Sequence, residues 1–328
     1  MKYLTLLFLV LSFISCSKDT QPVTLSFYYW KTNFELNTYE QNVLKEEKVS
    51  KLYIRYFDVG IKNKQPIPIA PIVFNNRIPV EHVIPVIYIK NEVFLQENGL
   101  DSLPVKIYKY IQQINQNAGV SVNEIQFDCD WTLKSKDNYF AFLKEFKKYH
   151  ENLSATIRLH QVKYPEKTGI PPVKKGVLMY YNMGVISADN NNSIYDRNLS
   201  KKYLASFKNY SLPLNIALPI FSWGVHTKQQ QVSNLIGGLK ESDLNKESFI
   251  KIANKRYKVI NDVVFEGRYL AKDDEIKIED ISQEQLIEIK KDLKVNLKTI
   301  PEEILLYDLT EKNVKNYEKE IYKNLGNW

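Results

Sequence analysis

Glu124-Ile125-Gln126-Phe127-Asp128-Cys129-Asp130-Trp131-Thr132 is the stretch on which the fold turns. Side chains alternate faces along a strand, so Gln126, Asp128 and Asp130 share one face while Ile125, Phe127, Cys129 and Trp131 share the other. A strand that is apolar on one side and acidic on the other does not belong in a core that is dry on both faces, because an unpaired buried carboxylate is strongly penalised. Something on the acidic side needs those groups.

Seven more short apolar runs share its length and character: Thr24 to Trp30, Lys51 to Val59, Val83 to Ile89, Leu153 to His160, Gly176 to Asn182, Leu214 to Phe221 and Glu303 to Asp308. Their β-branched and aromatic content favours strands, with Pro85 the one awkward residue for an interior position. Helical spacing covers Thr38 to Glu47, Tyr139 to Tyr149, Glu311 to Leu325, and Leu103 to Asn115, where Leu103, Ile107, Ile111 and Ile114 line one face. Eight strands alternating with helices or long loops predict an α/β protein, a closed (β/α)8 TIM-type barrel over residues 24–328. An open doubly wound sheet competes, but the chain lacks the glycine-rich phosphate turn of that fold.

The alternation breaks once. Between Gly224 and Ile300 the chain is too long for a bare loop. It carries strand-like Tyr257 to Phe265, Arg268 to Leu270 and Glu275 to Ile278, and a helix over Ser282 to Leu293 with acid at its start and lysine at its end. A small α+β insertion at about 225–300, between the seventh and eighth strands, is expected.

The 328 residues are 44% apolar and 25% charged, an ordinary globular composition. The net charge of +7 is spread over lysines such as Lys144, Lys147 and Lys148 with no arginine-rich block, so no nucleic-acid partner is expected. No phosphate loop, dinucleotide fingerprint or zinc spacing is present, and no cofactor or metal is expected. Lys2 followed by the apolar run Tyr3 to Ile14 is too short to span a bilayer but suits a signal peptide over 1–15. If Cys16 is consumed in maturation, Cys129 is the remaining thiol and no intrachain disulfide can form.

In a barrel of this kind the C-terminal strand ends form the functional face. They bring together Trp30, Arg55, Asp58, Tyr88, Asp128, Asp130, Trp131, Arg158, His160, Tyr181, Asn182, Trp223, Tyr307 and Asp308. Flat aromatic rings beside carboxylates, an amide and arginines suit a sugar, which offers C–H faces for stacking and hydroxyls for hydrogen bonds. Each residue also has a plainer reading. The tryptophans can be packing, Arg55 and Arg158 can simply neutralise Asp128 and Asp130, and Asp128, Asp130 and His160 can be written as a metal set without any diagnostic spacing.

Two resemblances sharpen this. Phe13-Ile14-Ser15-Cys16 resembles a bacterial lipobox, which implies a lipidated Cys16, a tether over 16–23 and a membrane-anchored protein of the bacterial cell envelope, at the outer membrane or cell surface. Phe127-Asp128-Cys129-Asp130-Trp131-Thr132 resembles the fourth-strand signature of family 18 glycoside hydrolases, and Leu178-Met179-Tyr180-Tyr181-Asn182 that family's sixth-strand segment. An uncharacterised family of bacterial glycosidase-like barrels (domain of unknown function 3142) is similar in its Gln-x-Asp-x-Asp run. The resemblance implies a glycan-binding barrel in which Asp130, tuned by Asp128, is the proton donor or orients an acetamido group, and Tyr181 and Asn182 hold the sugar. Thr132 stands where the proton-donating glutamate belongs, and Ile125 where the first acid does. Hydrolysis needs two carboxyl groups flanking the scissile bond, whereas Asp128 and Asp130 line one wall, so Asp58 and Asp308 are candidates for a partner from another strand. Two readings stand: a glycan-binding barrel that also hydrolyses, and a catalytically silent carbohydrate-binding or scaffold barrel.

Overall fold

The computed structural model describes residues 23–96 and 99–328; the leader and Cys16 lie outside them. All eight expected strands are present: β1 (Thr24–Tyr29), β2 (Lys51–Lys62), β3 (His82–Ile89), β4 (Ile125–Asp128), β5 (Leu153–Arg158), β6 (Lys175–Met179), β7 (Leu214–Pro219) and β8 (Glu303–Tyr307). Each pairs in parallel with its neighbour in sequence, and β1 pairs with both β2 and β8, which closes the barrel and leaves it no edge. The rear faces of the strands and the surrounding helices share one apolar core, which takes in Phe127 and Cys129 from the acidic stretch. The front faces fill the barrel with Tyr28, Tyr53, Val86, Met179 and Leu305.

The floor of the barrel is polar yet satisfied. Glu303 accepts from Ser26 and Tyr53 and pairs with Lys51 at 2.8 Å, while Glu124 accepts from Ser154 and pairs with Lys175 at 3.0 Å. Buried charge is tolerated on these terms, with a counter-ion and donors for the remaining lone pairs.

Pro85 is an interior strand residue after all, in register with Ile54, and β2 bulges just beyond that pair. Arg55 faces Val86 and Phe57 faces Ile87, so Tyr56 is an extra residue bulged out opposite the proline region. Beyond the barrel rim β2 runs on past Gly60 and turns through Asn63 and Lys64, both with positive φ, into an antiparallel strand, Gln65–Ile69, that the sequence reading left out.

Three other elements differ from expectation. The fifth strand stops at Arg158, where the Gln161 side chain accepts from the Arg158 backbone N–H and starts the helix Leu159–Lys163. The last helix is two, Glu311–Val314 and Lys319–Gly326, because Tyr317 donates to the Ile281 carbonyl and the Glu318 N–H to Gln283, fixing the chain between them. The insertion lies where expected, but its sheet is larger than the sequence suggested. Trp223–Lys228, Gln231–Gly237, Phe249–Ala253, Arg256–Val259 and Glu275–Glu279 form one antiparallel sheet around its own core of Leu239, Val259, Ile276 and Ile278. The helix after it, Gln283–Asn296, buries Leu286, Ile289 and Leu293 in the barrel's outer core, in the place of a barrel helix between β7 and β8.

Candidate functional site

An open cleft of about 920 Å³ occupies the C-terminal mouth of the barrel. Trp30, Arg55, Asp58, Tyr88, Asp128, Asp130, Arg158, Tyr181, Asn182, Trp223, Tyr307 and Asp308 all line it. Register places Asp58, Tyr88 and Asp128 side by side on β2, β3 and β4.

The bulge at Tyr56 determines what β2 contributes. Strict alternation would put Arg55 and Asp58 on opposite faces; the extra residue turns both inward, while Tyr56 and Phe57 go to the outer core. Arg55 then binds Asp58 through two parallel contacts, Nε to Oδ1 and Nη2 to Oδ2, each 2.8 Å. Arg55 therefore neutralises Asp58, where the sequence pointed to Asp128 or Asp130 as its partner.

Asp130 is similarly engaged. Arg158 donates Nε to Oδ1 and Nη2 to Oδ2, the second at 3.2 Å. Burial works against the Arg158 charge, yet Asp128 and Asp130 outweigh it and hold the guanidinium above its ordinary value. Asp128, 5% exposed, accepts a 2.6 Å bond from Thr156 Oγ1. Burial pushes its carboxyl up; Arg158 opposes the shift and Asp130 adds to it. Across the cleft, Asp308 accepts from Asn313 Nδ2 at 2.6 Å, and shielding from water pushes its carboxyl up to about 6. The mouth thus holds two acids committed to arginines and two, on different strands, that are not.

The aromatic wall is continuous. Ring centroids run from Trp30 to Tyr307 at 5.5 Å, from Tyr307 to Tyr181 at 5.5 Å and to Phe221 at 5.8 Å, and from Phe221 to Trp223 at 5.2 Å. Burial drives the Tyr181 hydroxyl far up and that of Tyr88, in the same row as Asp128, to about 12, so both stay protonated donors at neutral pH.

Two expected residues lie elsewhere. Trp131 is 2% exposed, packs against Tyr139 and Phe140 and donates Nε1–H to the Thr168 carbonyl at 2.9 Å. The alternation that turns Asp128 and Asp130 inward turns Trp131 outward. His160 lies exposed on the helix after β5 and is not part of the cleft lining, and among the described residues Asp128, Asp130 and His160 do not come together as a metal set. Thr132 is also outside the lining: β4 ends at Asp128, and Thr132 donates its N–H to Ser135 Oγ at 2.9 Å as the chain turns towards the helix Lys136–Phe146. Sequence reasoning missed Phe221, Gly237, Gly238, Lys312 and Asn313. Phe221 and Trp223 share the end of one run and one was singled out without the other; Gly237 and Gly238 reach the cleft only through the insertion sheet, and nothing local marked them.

Fold and site together define a (β/α)8 barrel with an aromatic, charge-compensated cleft at its mouth. No family model and no curated protein sequence matches the chain. Among solved structures it is similar to the chitinase-like agglutinin of Robinia pseudoacacia, at 10% identity and a TM-score of 0.54 over 92% of this chain and 98% of that one. It is also similar to human YKL-39, described as a pseudo-chitinase with retained chitooligosaccharide binding properties, at 9% identity and a TM-score of 0.52 over the same shares. The likeness is one of fold, a (β/α)8 barrel.

Proposed function

We propose that the protein is an exported, lipid-anchored component of the bacterial cell envelope whose barrel mouth binds a glycan without hydrolysing it. One observation carries this reading: the cleft is walled with aromatic rings, while the second acid of the hydrolase-like motif, Asp130, is held by Arg158 and Thr132, two residues on, turns out of the cleft. A hydrolase needs a carboxyl free to give up a proton at the glycosidic oxygen, and Asp130 gives a bidentate arginine pair instead. The names borne by the agglutinin and the pseudo-chitinase support the same reading, since proteins of this fold include binders.

The catalytic alternative draws on one feature. Asp128 and Asp308 lie at the ends of different strands, and a raised carboxyl is what the proton donor of a hydrolytic pair needs, the other member serving once ionised. A panel of neutral oligosaccharides measured by calorimetry and by reducing-end release separates the two. Binding without product, weakened about tenfold by Trp30→Ala, is the expected result. Product that disappears in Asp128→Asn would move the protein to the enzymes, and a panel with neither binding nor product would remove the glycan altogether. For export and anchoring, fatty-acid labelling of the full chain is expected to vanish in Cys16→Ser; persistent labelling contradicts the anchor.

A further inference from the structure

We propose that the cleft contains a second sugar-ring subsite on its insertion side, with the Trp223 indole as platform and Gly237 as an open floor beside it, the indole being set in place by the buried Glu279. The inference rests on the glycan reading and extends it to an oligosaccharide of at least two rings.

Glu279 is 2% exposed. Its Oε2 accepts the Trp223 indole N–H at 2.8 Å, the Ser193 N–H at 3.0 Å and the Ser193 hydroxyl. Its Oε1 faces Lys277 Nζ at 2.7 Å, and that ammonium donates onward to the Asn191 carbonyl at 2.8 Å. One buried carboxylate thus ties the start of the insertion sheet to the loop after β6. Such an arrangement costs desolvation and holds the half-buried indole, which lines the cleft, in one orientation.

Gly237 is the second, independent sign. It is the direct cross-strand partner of Trp223, so a side chain there would stand on the same face, beside the indole. Its φ is not positive, so the backbone does not demand glycine, and a Cβ added to it would meet no atom within 4 Å. Gly238 differs: its φ is +68° and the Lys312 stem covers it. Neither conformation nor packing accounts for a bare residue 237, whereas a flat ring lying over Trp223 needs that strip clear.

The experiment is a calorimetric ladder of chitin-derived and cellulose-derived oligosaccharides of one to four rings. Wild-type affinity is expected to rise with length. Trp223→Ala and Gly237→Val are each expected to remove about tenfold of that rise with length. Gly237→Val has open space to occupy, so it tests the floor without disturbing the fold. Glu279→Ala should lose the same increment, Glu279→Gln, which keeps an acceptor for the indole N–H, should retain it, and in a Trp223→Phe background Glu279→Ala should remove nothing more. A length dependence intact in both Trp223→Ala and Gly237→Val overturns the subsite and leaves glycan binding standing. A wild-type protein that binds no member of either ladder overturns both.

Discussion

Asp308 is where the chemistry of the cleft is easiest to read. An acid whose folded value is raised to about 6 is destabilising once ionised, so the cost is absent below the unfolded carboxylate range near 4 and is fully felt above the folded value. Asp308→Asn keeps an oxygen to accept from Asn313 and should stabilise the protein at pH 7.5, on the order of 2 kcal/mol, with the gain fading as pH falls through 6 to 4. Urea unfolding at a series of pH values checks it; a gain that persists at pH 4 would show that the asparagine acts through packing. Asp58 is held instead by an ion pair. Asp58→Ala leaves Arg55, 6% exposed, without its partner and should cost about 2–3 kcal/mol, part of which Arg55→Met in the same chain should restore. Denaturation of the two single variants and the double variant measures the coupling.

At the level of elements, the question is what one short strand gives the cleft. β4 contributes Asp128 from its last residue and Asp130 from just beyond it, and the chain then leaves for the helix Lys136–Phe146 through the turn that Ser135 holds at Thr132. Placing at 132 the glutamate of the hydrolase signature that this stretch resembles, by Thr132→Glu, therefore puts a carboxylate at the rim turn and outside the cleft. Reducing-end release is expected to stay at background in that variant; measurable hydrolysis would mean that the turn rearranges. How much of this was legible beforehand follows from the same elements. Short apolar runs rich in β-favouring residues located the eight strands, and period-two alternation the inward acids, because a face that is wet or dry writes itself into alternate residues. It did not reveal that Arg55 pairs with Asp58, because a one-residue bulge shifts the alternation and leaves no mark in composition. It also pointed correctly to the outward side for Trp131, yet proximity to the strand end suggested a cleft role that burial against Tyr139 excludes. The insertion strands Trp223–Lys228 and Gln231–Gly237 escaped notice although they form a hairpin with each other, because Gln231–Gly237 is largely exposed and shows no clean apolar alternation.

On the scale of the whole molecule, barrel and insertion have separate apolar cores joined at the cleft. Replacing 223–279 by a short linker, with the helix Gln283–Asn296 kept, should leave a barrel that melts cooperatively and has lost its length-dependent glycan binding. Circular dichroism melting together with the oligosaccharide ladder tests this, and loss of the cooperative melt would show that the barrel depends on the insertion to fold. The closed barrel has one more consequence, through the thiol behind the acidic strand stretch. Cys129 is 1% exposed on the outer side, and burial, with Asp128 and Asp130 adding to it, holds the thiol well above its ordinary value. Since every strand is paired on both sides, a reagent reaches that sulfur only when the circle of strands parts or the helical layer lifts away. In a Cys16→Ser background the rate at which a maleimide modifies Cys129 becomes a clock for breathing of the native fold, and slowing of that clock by an added sugar would report, without any label on the ligand, that an occupied mouth holds the ring of strands shut.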